Sequence, residues 1–373
     1  MRAVVATSTG FHLRHLAQQL LRQGWDVEFH SYLPHWKTRQ YGLPDSATVS
    51  HFGALLPLSA LALVRFDHPW LTALRQHLAA AVDRRIARTM RPADVFVGLS
   101  NVSVACAAKA REQGALVLVE RGSSHIRQQL AAALAAGIRP PRTDYVTREE
   151  ASYAAADRVV LLSDYARKSF VENGFPDERI AVMAPGVDLA RFAPPAAPPA
   201  LPVRALVVGV WSRRKGCDLI GGLLDALPDL TVTHAGSIGD APVPDSSRFT
   251  SLGHCDHELL AQVMRQHHLL LFPSRDDGFG MVMAEALASG MRVVASRASG
   301  GPELAELIGS EYVALVEPGS LPELISATEL QRNAITEYPA EIAAPRERLS
   351  SLSWDGYGAR YLAMLERLLG ERR

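Results

Sequence analysis

Short apolar runs recur along almost the whole chain, and each leads through a small-residue or glycine-bearing loop into a segment of good helix formers. In the first half these runs are Ala3–Ala6, Trp25–His30, Val95–Gly98, Leu116–Val119, Val159–Leu162 and Ile180–Met183. In the second half they are Val203–Val208, Thr231–His234, Phe249–Leu252, Leu269–Phe272 and Arg292–Ala295. Strands this apolar need cover on both faces, as in a parallel sheet flanked by helices. The alternation therefore predicts α/β architecture. Between the halves, residues 193–202 hold five prolines, which remove ladder donors and favour an extended connector. The expected division is 1–192, a connector over 193–202, a second domain over 203–352, and a terminal segment over 353–373. That last segment presents Tyr357, Tyr361, Met364, Leu365 and Leu368 at helical spacing. The stretch from Tyr32 to Pro69, with Pro34, Pro44 and Pro57 inside it, reads as irregular.

The run Leu269–Phe272 carries the most chemistry, because it delivers Pro273-Ser-Arg-Asp-Asp277-Gly-Phe-Gly280 into a helix expected over Gly280–Ser289 and stopped by Gly290. A glycine-broken loop feeding a helix start suits an anion, since free N–H groups and the positive dipole end face the loop. Asp277 lies in the loop and Glu285 follows eight residues later, inside the helix. Phosphate held by backbone and hydroxyls held by carboxylates describe a nucleotide-sugar site.

That pattern, an acid, then Gly278-Phe279-Gly280, then Glu285 followed by Ala286, resembles the signature of retaining glycosyltransferases of family 4. So do Leu206–Gly209 with Arg213-Arg214-Lys215-Gly216, Ala156–Ser163, Pro185–Phe192 and Ser353-Trp354 with the helix after it. The resemblance implies a GT-B fold, two Rossmann-like domains facing across a cleft, with the C-terminal helix crossing back to the first domain. It places Lys215, with Arg213 or Arg214, on the diphosphate of a nucleoside-diphosphate sugar, a role that suits forked and point cations. Val210 stands where many relatives have arginine, so one of the two arginines is expected to substitute. The resemblance puts Glu285 on the ribose hydroxyls and Asp277 at the transferred sugar, with Asp276 able to share that role. Gly278, Phe279 and Gly280 would form the loop facing phosphate and sugar, although a phenylalanine here is more often core. From the first domain, Gly10 would approach the diphosphate. His125, or Arg121 before it, would reach the donor sugar. The reaction implied is retaining transfer to a glycan or lipid-linked acceptor, in surface polysaccharide or lipopolysaccharide synthesis, with no cofactor and no obligatory metal. A disaccharide synthase or phosphorylase with a soluble acceptor is the alternative. A non-catalytic nucleotide-sugar-binding subunit is another.

Bulk properties narrow the partners. The 373 residues are 48% hydrophobic and 21% charged, with no net charge. No apolar run approaches the ~20 residues needed to span a bilayer, and Met1-Arg2 runs straight into a strand, so no secretory signal is expected. Cys106, Cys217 and Cys255 lack metal-ligand spacing and suit a reducing cytosol. Residues 1–192 nevertheless carry 23 Lys/Arg against 17 Asp/Glu. Within them Arg84, Arg85, Arg88 and Arg91 form a helical cluster that suits either solvent or an anionic membrane face. Nucleic acid is not expected, because no run of exposed aromatics interleaves the basic residues. Tyr32, Trp36, Tyr41 and Phe52 are candidates for shaping an acceptor cleft or for local packing.

Overall fold

The structure is a computed structural model and describes residues 1–7, 12–53, 69–137 and 143–372. The first domain holds seven parallel strands: β1 (Arg2–Ala6), β2 (Asp26–Ser31), β3 (Thr48–Ser50), β4 (Val95–Leu99), β5 (Leu116–Arg121), β6 (Arg158–Leu161) and β7 (Ile180–Val182). Their order is β3-β2-β1-β4-β5-β6-β7. The second domain has six: β8 (Arg204–Val208), β9 (Thr231–Ala235), β10 (Phe249–Ser251), β11 (Leu269–Phe272), β12 (Arg292–Ser296) and β13 (Val313–Val316), ordered β10-β9-β8-β11-β12-β13. Both sheets change direction beside their first strand, between β1 and β4 and between β8 and β11. In open α/β sheets such a switch point opens a crevice beyond the carboxyl ends of the strands.

The first-domain core joins Leu13, Leu16 and Leu20 of the Leu13–Arg22 helix to Val5 and Phe29 of the sheet. Tyr357, Tyr361 and Leu365 of the Trp354–Gly370 helix complete the same cluster. The C-terminal helix thus returns to the first domain, each fully buried side chain contributing about 1.5–3 kcal/mol. The chain crosses between domains twice, side by side: Val187 N–H donates to the Leu352 carbonyl at 2.7 Å, and Gly186 packs against Trp354. Second-domain helices cover both faces of their sheet, with Met283, Leu287 and Leu304 on one side and Ile220, Leu224 and Leu324 on the other.

Two expectations need correction. The Tyr32–Pro69 stretch is not wholly irregular, because it holds a His35–Gln40 helix and strand β3, and Pro69 opens a helix running to Thr89. Prolines misled here: Pro34 caps a helix start and Pro69 occupies one, positions where the missing N–H costs nothing. Strand β13 was also missed, being a four-residue sheet edge.

Candidate active site

Two loops of the second domain form the floor of the site. The β8 loop reverses through Gly216, whose left-handed backbone (φ 72°) lets it lie on the Pro273 carbonyl; a Cβ there would stand 2.1 Å from that oxygen. Arg275 fixes the same contact, with a two-pronged bond to Asp218 at 2.6 and 2.8 Å. The β11 loop then turns through Gly280 (φ 83°), the residue capping the Met281–Ala288 helix. A residue with a Cβ would meet Phe272 and Met283 there. This packing sets Lys215 beside Asp277, and the two form an ion pair. Asp277 Oδ1 accepts the Phe279 N–H at 3.3 Å, while the Asp277 N–H donates to Ala298 at 3.0 Å.

The two arginines separate. Arg214 donates to the Asp276 carbonyl at 2.9 Å and so braces the loop. Arg213 is exposed, and its guanidinium has no partner among the described residues. Glu285 sits half-buried in the helix without a hydrogen bond to its carboxyl group among the described residues. Burial pushes its pKa up to about 7, partly offset by the Arg191 charge.

The first domain closes directly onto this floor. Asp276 is fully buried, and its Oδ1 accepts from Ser124 at 2.5 Å and from the Tyr165 hydroxyl at 3.0 Å. Its Oδ2 is buried without a partner among the described residues. Ser163 Oγ donates to the Gly278 carbonyl at 2.5 Å, and Glu303 accepts the Asp164 N–H. Gly278 has to be glycine for this approach, since a Cβ would lie 2.2 Å from the Gly122 carbonyl.

The structure places the remaining candidate residues as follows. His125, expected near the donor sugar, caps the Ile126–Ala135 helix, accepting the Arg127 N–H, and packs on Tyr153 and Phe170. Burial pulls its pKa down to about 4. Ser124, one residue earlier, reaches across the interface and donates to Asp276. Arg121 is committed to a buried ion pair with Glu149 at 2.7 Å. The Phe279 ring lies in the second-domain core under Gly300, so only its backbone belongs to the loop. Gly10 falls outside the described residues. The cross-domain contacts of Ser163, Tyr165 and Glu303, and the action of the Arg191 charge on Glu285, carry no mark in the local sequence. Among the described residues, no three His, Cys, Asp or Glu side chains converge as metal ligands, and no helix is long and apolar enough to cross a membrane.

A glycine-capped helix start, a basic loop and two carboxyl groups thus lie together between two parallel-sheet domains. The profile described as "Glycosyl transferases group 1" matches residues 204–330, and that described as "Glycosyltransferase Family 4" matches residues 9–191. D-inositol 3-phosphate glycosyltransferases of Mycobacterium tuberculosis and Mycobacterium bovis are 30% identical over 299 residues, covering 70% of this chain. The chain spans 59% of the length of these curated relatives. Among solved structures, sucrose-phosphate synthase from Thermosynechococcus elongatus aligns over all of both chains with TM-score 0.72 at 20% identity. Anabaena HepE in complex with UDP and glucose aligns over 98% of this chain and all of its own, with TM-score 0.63 at 18% identity. The chain belongs to the family 4 type of glycosyltransferases and has the GT-B fold.

Proposed function

We propose that the protein transfers a sugar, with retention of configuration, from a nucleoside diphosphate to a hydroxyl of a glycan or lipid-linked acceptor used in envelope polysaccharide or lipopolysaccharide synthesis. The observation that carries this reading is the placement of Lys215 and Asp277 at the start of the helix that also presents Glu285. On donor binding Lys215 would exchange its bond to Asp277 for the diphosphate, adding to the helix N-terminus in stabilising charge on the leaving group. Asp277, so released, would orient the sugar hydroxyls. Glu285, acceptor-only when ionised, would take the ribose hydroxyls. Closure of Ser124 and Tyr165 on Asp276 would exclude water and limit hydrolysis. The acceptor proton would pass to a diphosphate oxygen, so no protein nucleophile is needed.

A second reading, a soluble phosphorylated acceptor, is favoured by the name of the curated relatives, which act on D-inositol 3-phosphate. A panel of nucleotide sugars incubated with lipid-linked and soluble acceptors tests both. The anomeric coupling of the product, read by NMR, would match the donor under this proposal, and an inverted product would overturn retention.

A further inference from the structure

A cavity of about 950 Å³ opens between the domains on the hinge side, and no residue of the 273–285 loop and helix lines it. Its walls come from the Leu13–Arg22 and His35–Gln40 helices, the 187–191 crossing, and the first turns of the His257–Arg265 and Trp354–Gly370 helices. The volume is that of a small-molecule site.

The charges inside it are unevenly committed. Asp355 bonds Arg22 at 2.7 Å and Gln19 at 2.8 Å, Glu258 bonds Arg191 at 2.7 Å, and Asp188 lies 3.4 Å from Arg191. Asp256 caps the His257–Arg265 helix through the Leu259 N–H. Arg14 and Lys37 are left with no ion pair among the described residues. Both stand on one ring, the Arg14 guanidinium 4.2 Å and the Lys37 ammonium 5.4 Å from the centre of Tyr41. Arg14 Nε donates to His15 at 3.2 Å, and His15 is stacked on Trp354 at 3.8 Å, so the fork is held in a fixed place. Burial and the neighbouring Arg191 charge both pull the Arg14 pKa down. Two half-buried cations share an aromatic ring and have no ion-pair partner among the described residues, an arrangement that suits an anion; Arg191, the third cation of the cavity, is already paired with Glu258.

We propose that this cavity is a second ligand site, for a phosphate-bearing molecule, with Arg14 and Lys37 as the anion-binding pair. It lies outside the donor site and does not depend on the donor assignment. Because its walls belong to both domains, the ligand would also hold them together. The phosphate could belong to a soluble sugar phosphate or to a lipid headgroup, and the arms of the experiment separate these.

The test is calorimetric titration of the whole protein with glucose 6-phosphate, with glucose as control, beside flotation on phosphatidylglycerol vesicles against phosphatidylcholine vesicles. Wild type, Arg14→Gln, Lys37→Gln and Lys215→Ala are compared, after melting curves confirm that each variant is folded. Saturable sugar-phosphate binding that weakens about tenfold or more in Arg14→Gln and Lys37→Gln, and persists in Lys215→Ala, is the expected result for a soluble ligand. Phosphatidylglycerol-dependent flotation with the same variant pattern establishes the headgroup source. The proposal is overturned if neither probe binds. It is equally overturned if binding survives both cavity substitutions, or if Lys215→Ala abolishes it, since the phosphate then occupies the donor site.

Discussion

Removing the Tyr165 hydroxyl tests whether Asp276 latches the domains shut. Tyr165 donates to Asp276 Oδ1 at 3.0 Å across the interface, and Ser124 donates to the same atom at 2.5 Å. Tyr165→Phe keeps the ring and deletes one bond to a carboxyl group that is fully buried and already has an unpaired oxygen. Losing such a bond costs about 1–3 kcal/mol, so the closed form should weaken about 5- to 150-fold relative to the open one. Ser124→Ala added to it should strip Oδ1 of both side-chain donors. The two effects should not add, because the bonds share one acceptor. Small-angle scattering reads the outcome as a larger radius of gyration in the double variant. Activity should show a larger share of donor lost to hydrolysis, with little change in nucleotide affinity, because neither residue lies on the second-domain floor. An unchanged scattering profile together with an unchanged hydrolysis-to-transfer ratio would refute the latch.

Other consequences are quicker to check. Gly216→Ala should destabilise the second domain by about 1–3 kcal/mol from its left-handed backbone alone. The approach to the Pro273 carbonyl should add to that, and denaturant unfolding measures the sum. Glu285 has a pKa raised to about 7, so it is protonated at lower pH and ionised above. Hydroxyl donors of a ligand favour the ionised form, so nucleotide affinity should rise with pH through about 7 and be flatter in Glu285→Gln. The same raised pKa means that its ionisation costs the folded state stability as pH climbs from the usual carboxylate range to about 7. Removal of that loss in Glu285→Gln is visible in melting curves across the range.

The parts of the fold legible in the sequence are those written in local chemistry. Leu269–Phe272 is buried on both faces and reads as such, and Gly216, Gly278 and Gly280 sit where only glycine fits. Asp277 and Glu285 follow one strand through its loop into the next helix, whereas Lys215 reaches Asp277 from the loop of another strand. The latch is not legible in this way, because Ser124 and Asp276 are 152 residues apart. Serine, tyrosine and aspartate carry no spacing that announces a partner in another domain. His125 shows a related ambiguity: a histidine at a helix start fits capping as well as catalysis, and in the structure it caps the helix and packs on Tyr153 and Phe170. Arg14 and Lys37 lie on separate helices, and the cavity they share exists only once the second domain and the C-terminal helix are in place.

The central claim is that Lys215 and Glu285 hold a nucleoside diphosphate on the second domain. The most direct measurement is a thermal-shift panel of nucleoside diphosphates and their sugars on wild type, Lys215→Ala and Glu285→Ala. A ligand that binds only the folded state raises the melting temperature with concentration. The account predicts that one nucleotide stabilises wild type and loses most of that effect in both variants. If no nucleotide shifts wild type at millimolar concentration, or if the shift survives both substitutions, Lys215 and Glu285 do not hold the donor.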